Sequence, residues 1–151
     1  MKQQLLLVLA TGGSIAGMAQ QTRYYNDPQE KFKEAKEYFQ KEQYSLAYPL
    51  LKELHAGSRE TDRVNYPVTT QELNYYTIVC GLKQNEEVAE TKAIDYIDLE
   101  RNNARVQMMS YHLGEYYFRV RKYPESVRYY EQANIANLSN AEIARMKFNQ
   151  G

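Results

Sequence analysis

The chain has 151 residues, 43% hydrophobic and 25% charged, which is the make-up of a folded domain and excludes disorder or a collagen-like chain. Nineteen basic residues balance nineteen acidic ones, so no net positive charge draws the chain to nucleic acid or anionic lipid. One cysteine rules out an internal disulfide, two histidines supply no closed zinc set, and fifteen tyrosines without a tryptophan suit many half-buried packing surfaces.

The first nineteen residues have the order of a secretory signal peptide: a short positive start at Met1 to Gln4, apolar Leu5 to Ala10, then small residues ending in Gly17-Met18-Ala19. Gly17 and Ala19 suit the minus-three and minus-one positions of a cleavage site, which makes Gln20 the new N-terminus. Gly12, Gly13 and Gly17 dilute the apolar stretch, which falls short of the roughly twenty continuous apolar residues that a spanning helix needs. No cysteine lies near the cut to carry a lipid. Cys80 sits within the apolar run Tyr75 to Leu82, free of Lys, Arg or His, and reads as a buried small hydrophobe despite the oxidising destination.

From Asp27 onward the apolar residues recur with helical spacing, and no sustained alternation argues for strands, so the chain is expected to be all-α. Asp27-Pro28 supplies an N-cap and a proline for a first helix to about Gln40, with Phe32, Ala35 and Phe39 on one stripe. Ser45 is placed to cap a second helix, which tolerates Pro49 in its first turn and is expected to stop after His55 at Ala56-Gly57-Ser58. Arg59 to Val68 is the longest linker, and Thr69 with Glu72 forms a capping box for a third helix to about Lys83. Asn85 is placed to cap a fourth, with Glu86 and Glu87 in its first turn, running to about Arg101. A fifth is expected over about Ala104 to Val120 and a sixth over Pro124 to about Ala136, before a second capping box, Ser139 with Glu142, opens a seventh.

Helices of this length joined by short turns are antiparallel hairpins, and a succession of hairpins calls for a search for repeats. Residues 107–140 contain Leu113-Gly114, Tyr117, Tyr123, Ser126, Tyr130 and Ala133, in register with positions seven, eight, eleven, seventeen, twenty, twenty-four and twenty-seven of a repeat of about 34 residues. This pattern resembles the tetratricopeptide repeat. Small residues at eight, twenty and twenty-seven let the paired helices approach closely, while bulky ones fill the space between hairpins. Ser110 and Leu138 depart from the family pattern, where a large aromatic and a proline are common. Ala35, Tyr38, Ala47, Leu51 and Leu54 take the corresponding places of an earlier repeat over residues 28–61. A middle hairpin over residues 70–101 keeps Ala89 at the small position, and a further repeat starts at 144. Because its first helix is uncovered, the chain is expected to be the N-terminal part of a longer array.

The resemblance implies an α-solenoid of antiparallel helical hairpins wound as a right-handed superhelix, over residues 20–151. It is similar to the exported tetratricopeptide-repeat proteins of the Gram-negative envelope, which implies a periplasmic or outer-membrane-associated, non-catalytic scaffold for protein or peptide partners. The family's concave positions two, five, nine and twelve fall on Met108, Tyr111, Glu115 and Phe118, and on Gln29, Phe32, Lys36 and Phe39. Such an aromatic and thioether surface suits an apolar peptide or helix. The Lys and Asn pattern that clamps a partner's C-terminal carboxylate is missing, since Tyr111, Phe32, Glu115 and Lys36 stand in those places.

No hydrolase elbow, zinc-helix, phosphate-loop or dinucleotide motif occurs, and the acids sit in helix first turns or beside Lys and Arg. No enzyme activity, cofactor or metal is therefore expected. His55 ends a helix and His112 adjoins Leu113, so both read as structural. The paired tyrosines 24/25, 75/76, 116/117 and 129/130 lack the basic groove that base stacking requires and are assigned to interhelix packing. Any membrane association is expected through partners or sequence beyond Gly151. The alternative is a structural cap or sensor region of a larger envelope enzyme or signalling protein.

Overall fold

A computed structural model describes residues 27–60 and 68–151. The proposed signal peptide and the core of the 59–68 linker lie outside the described residues. Among the described residues there are seven α-helices and no strand: α1 Pro28–Gln40, α2 Tyr44–Glu60, α3 Thr70–Lys83, α4 Ala89–Leu99, α5 Asn103–Arg119, α6 Tyr123–Gln132 and α7 Asn140–Gln150. They pack as sequential antiparallel pairs, and the odd-numbered helices also touch in series, α1 on α3, α3 on α5 and α5 on α7. None of these helices is long and apolar enough to cross a membrane.

Local chemistry explains most boundaries. The Asp27 carboxylate accepts from Gln29 N–H at 2.8 Å to open α1, and Asn102 accepts from Arg105 N–H to open α5. Ser139 and Glu142 form the reciprocal capping box expected for α7. The Thr69–Glu72 box does not form: Thr69 occupies the N-cap place without a side-chain bond, and Glu72 pairs instead with Lys36, 3.5 Å away.

Four other expectations are corrected. Ser45 lies inside α2, whose first amides return to the Gln43 carbonyl, so Pro49 falls in the second turn on the exposed side. The helix then passes through Ala56-Gly57-Ser58, because a mid-helix glycine costs only about 1 kcal/mol while Leu51 and Leu54 are anchored in the core. Asn85 caps nothing; its φ of 57° closes α3, and α4 starts at Ala89 with Glu90 as its first-turn acid. Finally, α4 stops at Leu99 and α6 at Gln132, followed by a 3-10 turn over Ile135–Asn137 that leaves Ala133 just past the helix.

Asn85 has counterparts. Glu42 and Arg121, at the ends of α1 and α5, also have positive φ, 56° and 63°. At all three turns the left-handed residue's N–H donates three residues back and the next N–H five back: to Phe39 and Tyr38, to Leu82 and Gly81, and to Phe118 and Tyr117. This is the six-to-one closure that satisfies the last carbonyls of a helix, made three times with residues other than glycine. The hairpins thus share a common register point.

The core has three centres. Phe32, Ala35, Ala47, Leu51 and Leu54 join α1 and α2 to Leu73 and Cys80 of α3. Ile78, Val79 and Leu82 on the other side of α3 meet Ala89, Ala93 and Tyr96 of α4 and Met109, Leu113 and Tyr117 of α5. Serving both, α3 is buried almost continuously over its C-terminal half, from Ile78 to Leu82, while Gln71, Glu72, Asn74 and Thr77 keep its N-terminal half polar on one side. The third centre holds Tyr111, Tyr130 and Met146. In it Gly114 is required by contact: a Cβ there would lie 2.7 Å from Tyr130 Cδ1. Ser126 Oγ donates to the Gly114 carbonyl at 2.8 Å, so the two small positions read from the sequence meet across the α5–α6 pair. Ala35, Ala47, Leu113 and Tyr117 are buried and Tyr38 half-buried, whereas Tyr123 is 52% exposed and lies edge-on to Phe118.

Candidate functional site

The odd helices carry a line of charged and aromatic side chains. On α1 the Lys36 ammonium lies 4.6 Å over the Phe32 ring and reaches Glu72 of α3. Farther along, Lys83 of α3 donates to Glu115 Oε2 of α5, and Arg145 of α7 donates to Glu115 Oε1 at 3.1 Å, with its other nitrogen 3.5 Å from Glu42. Glu115 therefore joins three helices. Lys83 also faces the Tyr44 ring at 5.3 Å.

Burial opposes a charge on Glu115, but His112 and Lys83 outweigh it, and the carboxyl is held well below its ordinary 4.5. The His112 ring is enclosed by Phe39, Tyr75 and Tyr111 at centroid distances of 6.4, 6.2 and 5.1 Å. Its Nδ1 is 3.6 Å from Glu115 Oε2, just beyond hydrogen-bond length, and its Nε2 is 3.2 Å from the Tyr75 hydroxyl. The carboxylate favours the tautomer with the proton on Nδ1, so that Tyr75 donates to Nε2. Burial lowers the His112 pKa below its ordinary 6.5, so the ring is neutral at pH 7. The buried Tyr111 hydroxyl has no hydrogen-bond partner among the described residues.

This is a charge-compensated joint. A carboxylate held ionised by two cations is a weak proton acceptor, and the neutral imidazole is closed in by rings. Cys80 is buried and its thiol is pushed up to about 12 by burial, so it stays protonated at neutral pH. Among the described residues no three His, Cys, Asp or Glu side chains are grouped to hold a metal ion.

The expected concave-face residues divide between core and surface. Phe32, Tyr111 and Glu115 are 5%, 0% and 4% exposed and are spent on contacts within the chain. Phe39 and Met108 are half-buried against the α3–α5 core, and Phe118 leans on Tyr123. Lys36 is partly exposed and Gln29 exposed. Sequence reasoning missed Lys83, Arg145 and the interior role of His112, whose shared partner is thirty or more residues away for both cations.

A second feature lies over α3 between α2 and α4, which both pack on it without substantial contact with each other. This cleft encloses about 830 Å³. Tyr48, Lys52 and His55 line one wall, Lys92, Asp95 and Tyr96 the other, and Gln71, Asn74, Thr77 and Ile78 the floor. Leu99, Glu100 and Arg101, at the end of α4 and just past it, continue the α4 wall. None of these had been singled out as binding residues from the sequence. No protein-family model, curated protein or solved structure matches the chain.

Proposed function

We propose that the chain is a tetratricopeptide-like stack of helical hairpins acting as a non-catalytic protein-interaction scaffold of the bacterial envelope. One observation carries this reading: the same left-handed closure recurs at Glu42, Asn85 and Arg121, with the same pair of backbone hydrogen bonds. Recurrent hairpins whose odd helices meet in series are the unit from which extended binding surfaces are built. The register also agrees with the repeat pattern, since Phe32 and Tyr111 each lie ten residues before the left-handed residue, and Ala35 and Gly114 seven before it. The leader order at residues 1–19 supports export to the periplasm or outer membrane.

The surface available to a protein or peptide partner on the odd-helix side centres on Lys36 and Phe118, because Phe32, Tyr111 and Glu115 are turned inward. The test is retention of envelope proteins by the full chain beside a Lys36→Glu, Phe118→Ala variant of equal helicity. A partner retained only by the unaltered chain supports the odd-helix face. One retained by both keeps the scaffold but moves its face elsewhere, and no retained protein sinks the reading. Expression in a Gram-negative host followed by N-terminal sequencing tests export, with Gln20 as the expected first residue.

A further inference from the structure

The cleft between α2 and α4 is independent of the odd-helix face, and its charges are uncommitted in an uneven way. Lys52 on one wall and Lys92 and Arg101 on the other have no ion pair among the described residues, and Lys52 only overlies the Tyr48 ring at 4.5 Å. Of the two acids, Glu100 is already occupied: it accepts from the Tyr96 hydroxyl at 3.0 Å and Asn102 N–H at 2.9 Å, and faces Arg105 at 3.7 Å. The Asn102 amide leads the causes that hold its pKa below 4.5. Asp95 alone opposes three cations, so the cleft is net positive within a chain that is neutral overall.

The floor adds a second kind of recognition. Gln71 and Asn74, one helical turn apart on α3, both line the cleft, and their carboxamides make no hydrogen bond with other described residues. A carboxamide both donates and accepts, which matches the N–H and C=O of a peptide unit. An apolar seat is offered by Leu99, 80% exposed, and by the edge of core residue Ile78 that reaches the floor, 9% exposed. The volume is that of a ligand cleft rather than a flat contact. A nucleic acid would ask for a continuous basic track, and a free anion would make no use of the amides or the apolar seat.

We propose that this cleft binds an extended acidic peptide segment. Its carboxylates pair with Lys52, Lys92 and Arg101, its backbone with Gln71 and Asn74, and one apolar side chain rests on Ile78 and Leu99. Charge sets the encounter, and the amides and apolar seat hold the segment extended along α3.

Fluorescence anisotropy of the full chain with a fluorescein-labelled octapeptide of alternating glutamate and leucine tests the proposal. Saturable binding is expected, weakened at least about tenfold when glutamine replaces glutamate in the probe or in a Lys52→Glu, Lys92→Glu variant of unchanged helicity. Asn74→Ala weakens it by about threefold or more. A Lys33→Glu, Lys147→Glu variant, with the same charge change elsewhere, is expected to bind as the unaltered chain does. Equal loss in both double variants would mean bulk attraction only and overturns the proposal. So does the absence of saturable binding, equal affinity for a single-stranded oligonucleotide, or full displacement by inorganic phosphate. Zero-length carbodiimide coupling should join probe carboxylates to Lys52 or Lys92; coupling of these lysines solely to Asp62 of the same chain makes the chain's own linker the occupant and overturns it as well.

Discussion

Lys36 and Glu115 hold the same place in two hairpins, each six residues before the left-handed residue that closes its helix, yet they meet opposite conditions. Lys36 sits at the edge of the α1–α3 seam, its side chain 34% exposed and 3.5 Å from an equally exposed Glu72. That seam is held mainly by aromatic edges, Phe32 on Tyr76 at 5.7 Å and Phe39 on Tyr76 at 4.8 Å. Glu115 is covered on its outer side by α7 and accepts from both Lys83 and Arg145. The difference teaches that distance from the left-handed closure sets where a side chain stands on its helix, while the element packed over it decides whether a charge there is a surface ornament or a structural requirement.

The largest test of this contrast is Glu115→Gln. It strands Lys83 in the interior, and a cost of about 3 kcal/mol is expected in urea denaturation followed by helicity, at the lower end for a broken buried pair because Arg145 is partly solvated. A cost below that of an ordinary surface pair would erase the distinction. Next comes Gly114→Ala, expected to cost about 2 kcal/mol because the new Cβ meets the root of a Tyr130 ring already held by Tyr111 and by Asn149 at 2.8 Å. Ala35, the counterpart of Gly114 in the first hairpin, carries its Cβ in full burial, so the requirement for glycine belongs to the third hairpin alone.

Acid titration sharpens the same comparison. Because the folded His112 pKa lies below 6.5, the unfolded chain takes up a proton first as pH falls, and stability declines from about pH 6.5 downward with a slope of at most about 1.4 kcal/mol per unit. His112→Gln is expected to flatten that segment of a plot of urea midpoint against pH. Glu115 adds a separate loss beginning near its ordinary 4.5 as pH falls toward its lower folded value, joined by Glu90 and Glu100, which are shifted the same way. Lys33, which shares the His112 register on α1, is exposed. The smallest effect is reserved for Lys36→Gln, at most about 1 kcal/mol and shrinking with added salt; a larger loss would mean that the first seam depends on its ion pair after all.

The helices were readable because their apolar residues repeat at helical spacing and because Asp27 and Ser139 act on amides two or three residues away, whereas the Asn102 cap of α5 became evident in the structure. Gly114 and Ser126 were readable as a close pair through the resemblance to the repeat pattern, which places small residues at both positions, and Ser126 Oγ does donate to the Gly114 carbonyl. Asn85 was misread because one local preference serves two ends of a helix: asparagine caps a start and also tolerates a left-handed closure. Gly57 was misread because its intrinsic penalty is small beside the burial of Leu51 and Leu54 that carries α2 onward. In the candidate sites, Lys83 and Arg145 left no local trace, and the cleft exists because α2 and α4 stand apart over α3.

Periodicity and capping chemistry act within a few turns of chain, so the sequence by itself determined an all-α succession of antiparallel hairpins. Which like-placed residues became buried was decided by tertiary structure. The cost of enclosing Glu115 depends on a lysine and an arginine brought from helices on either side, and no interaction that short-ranged along the chain encodes their meeting.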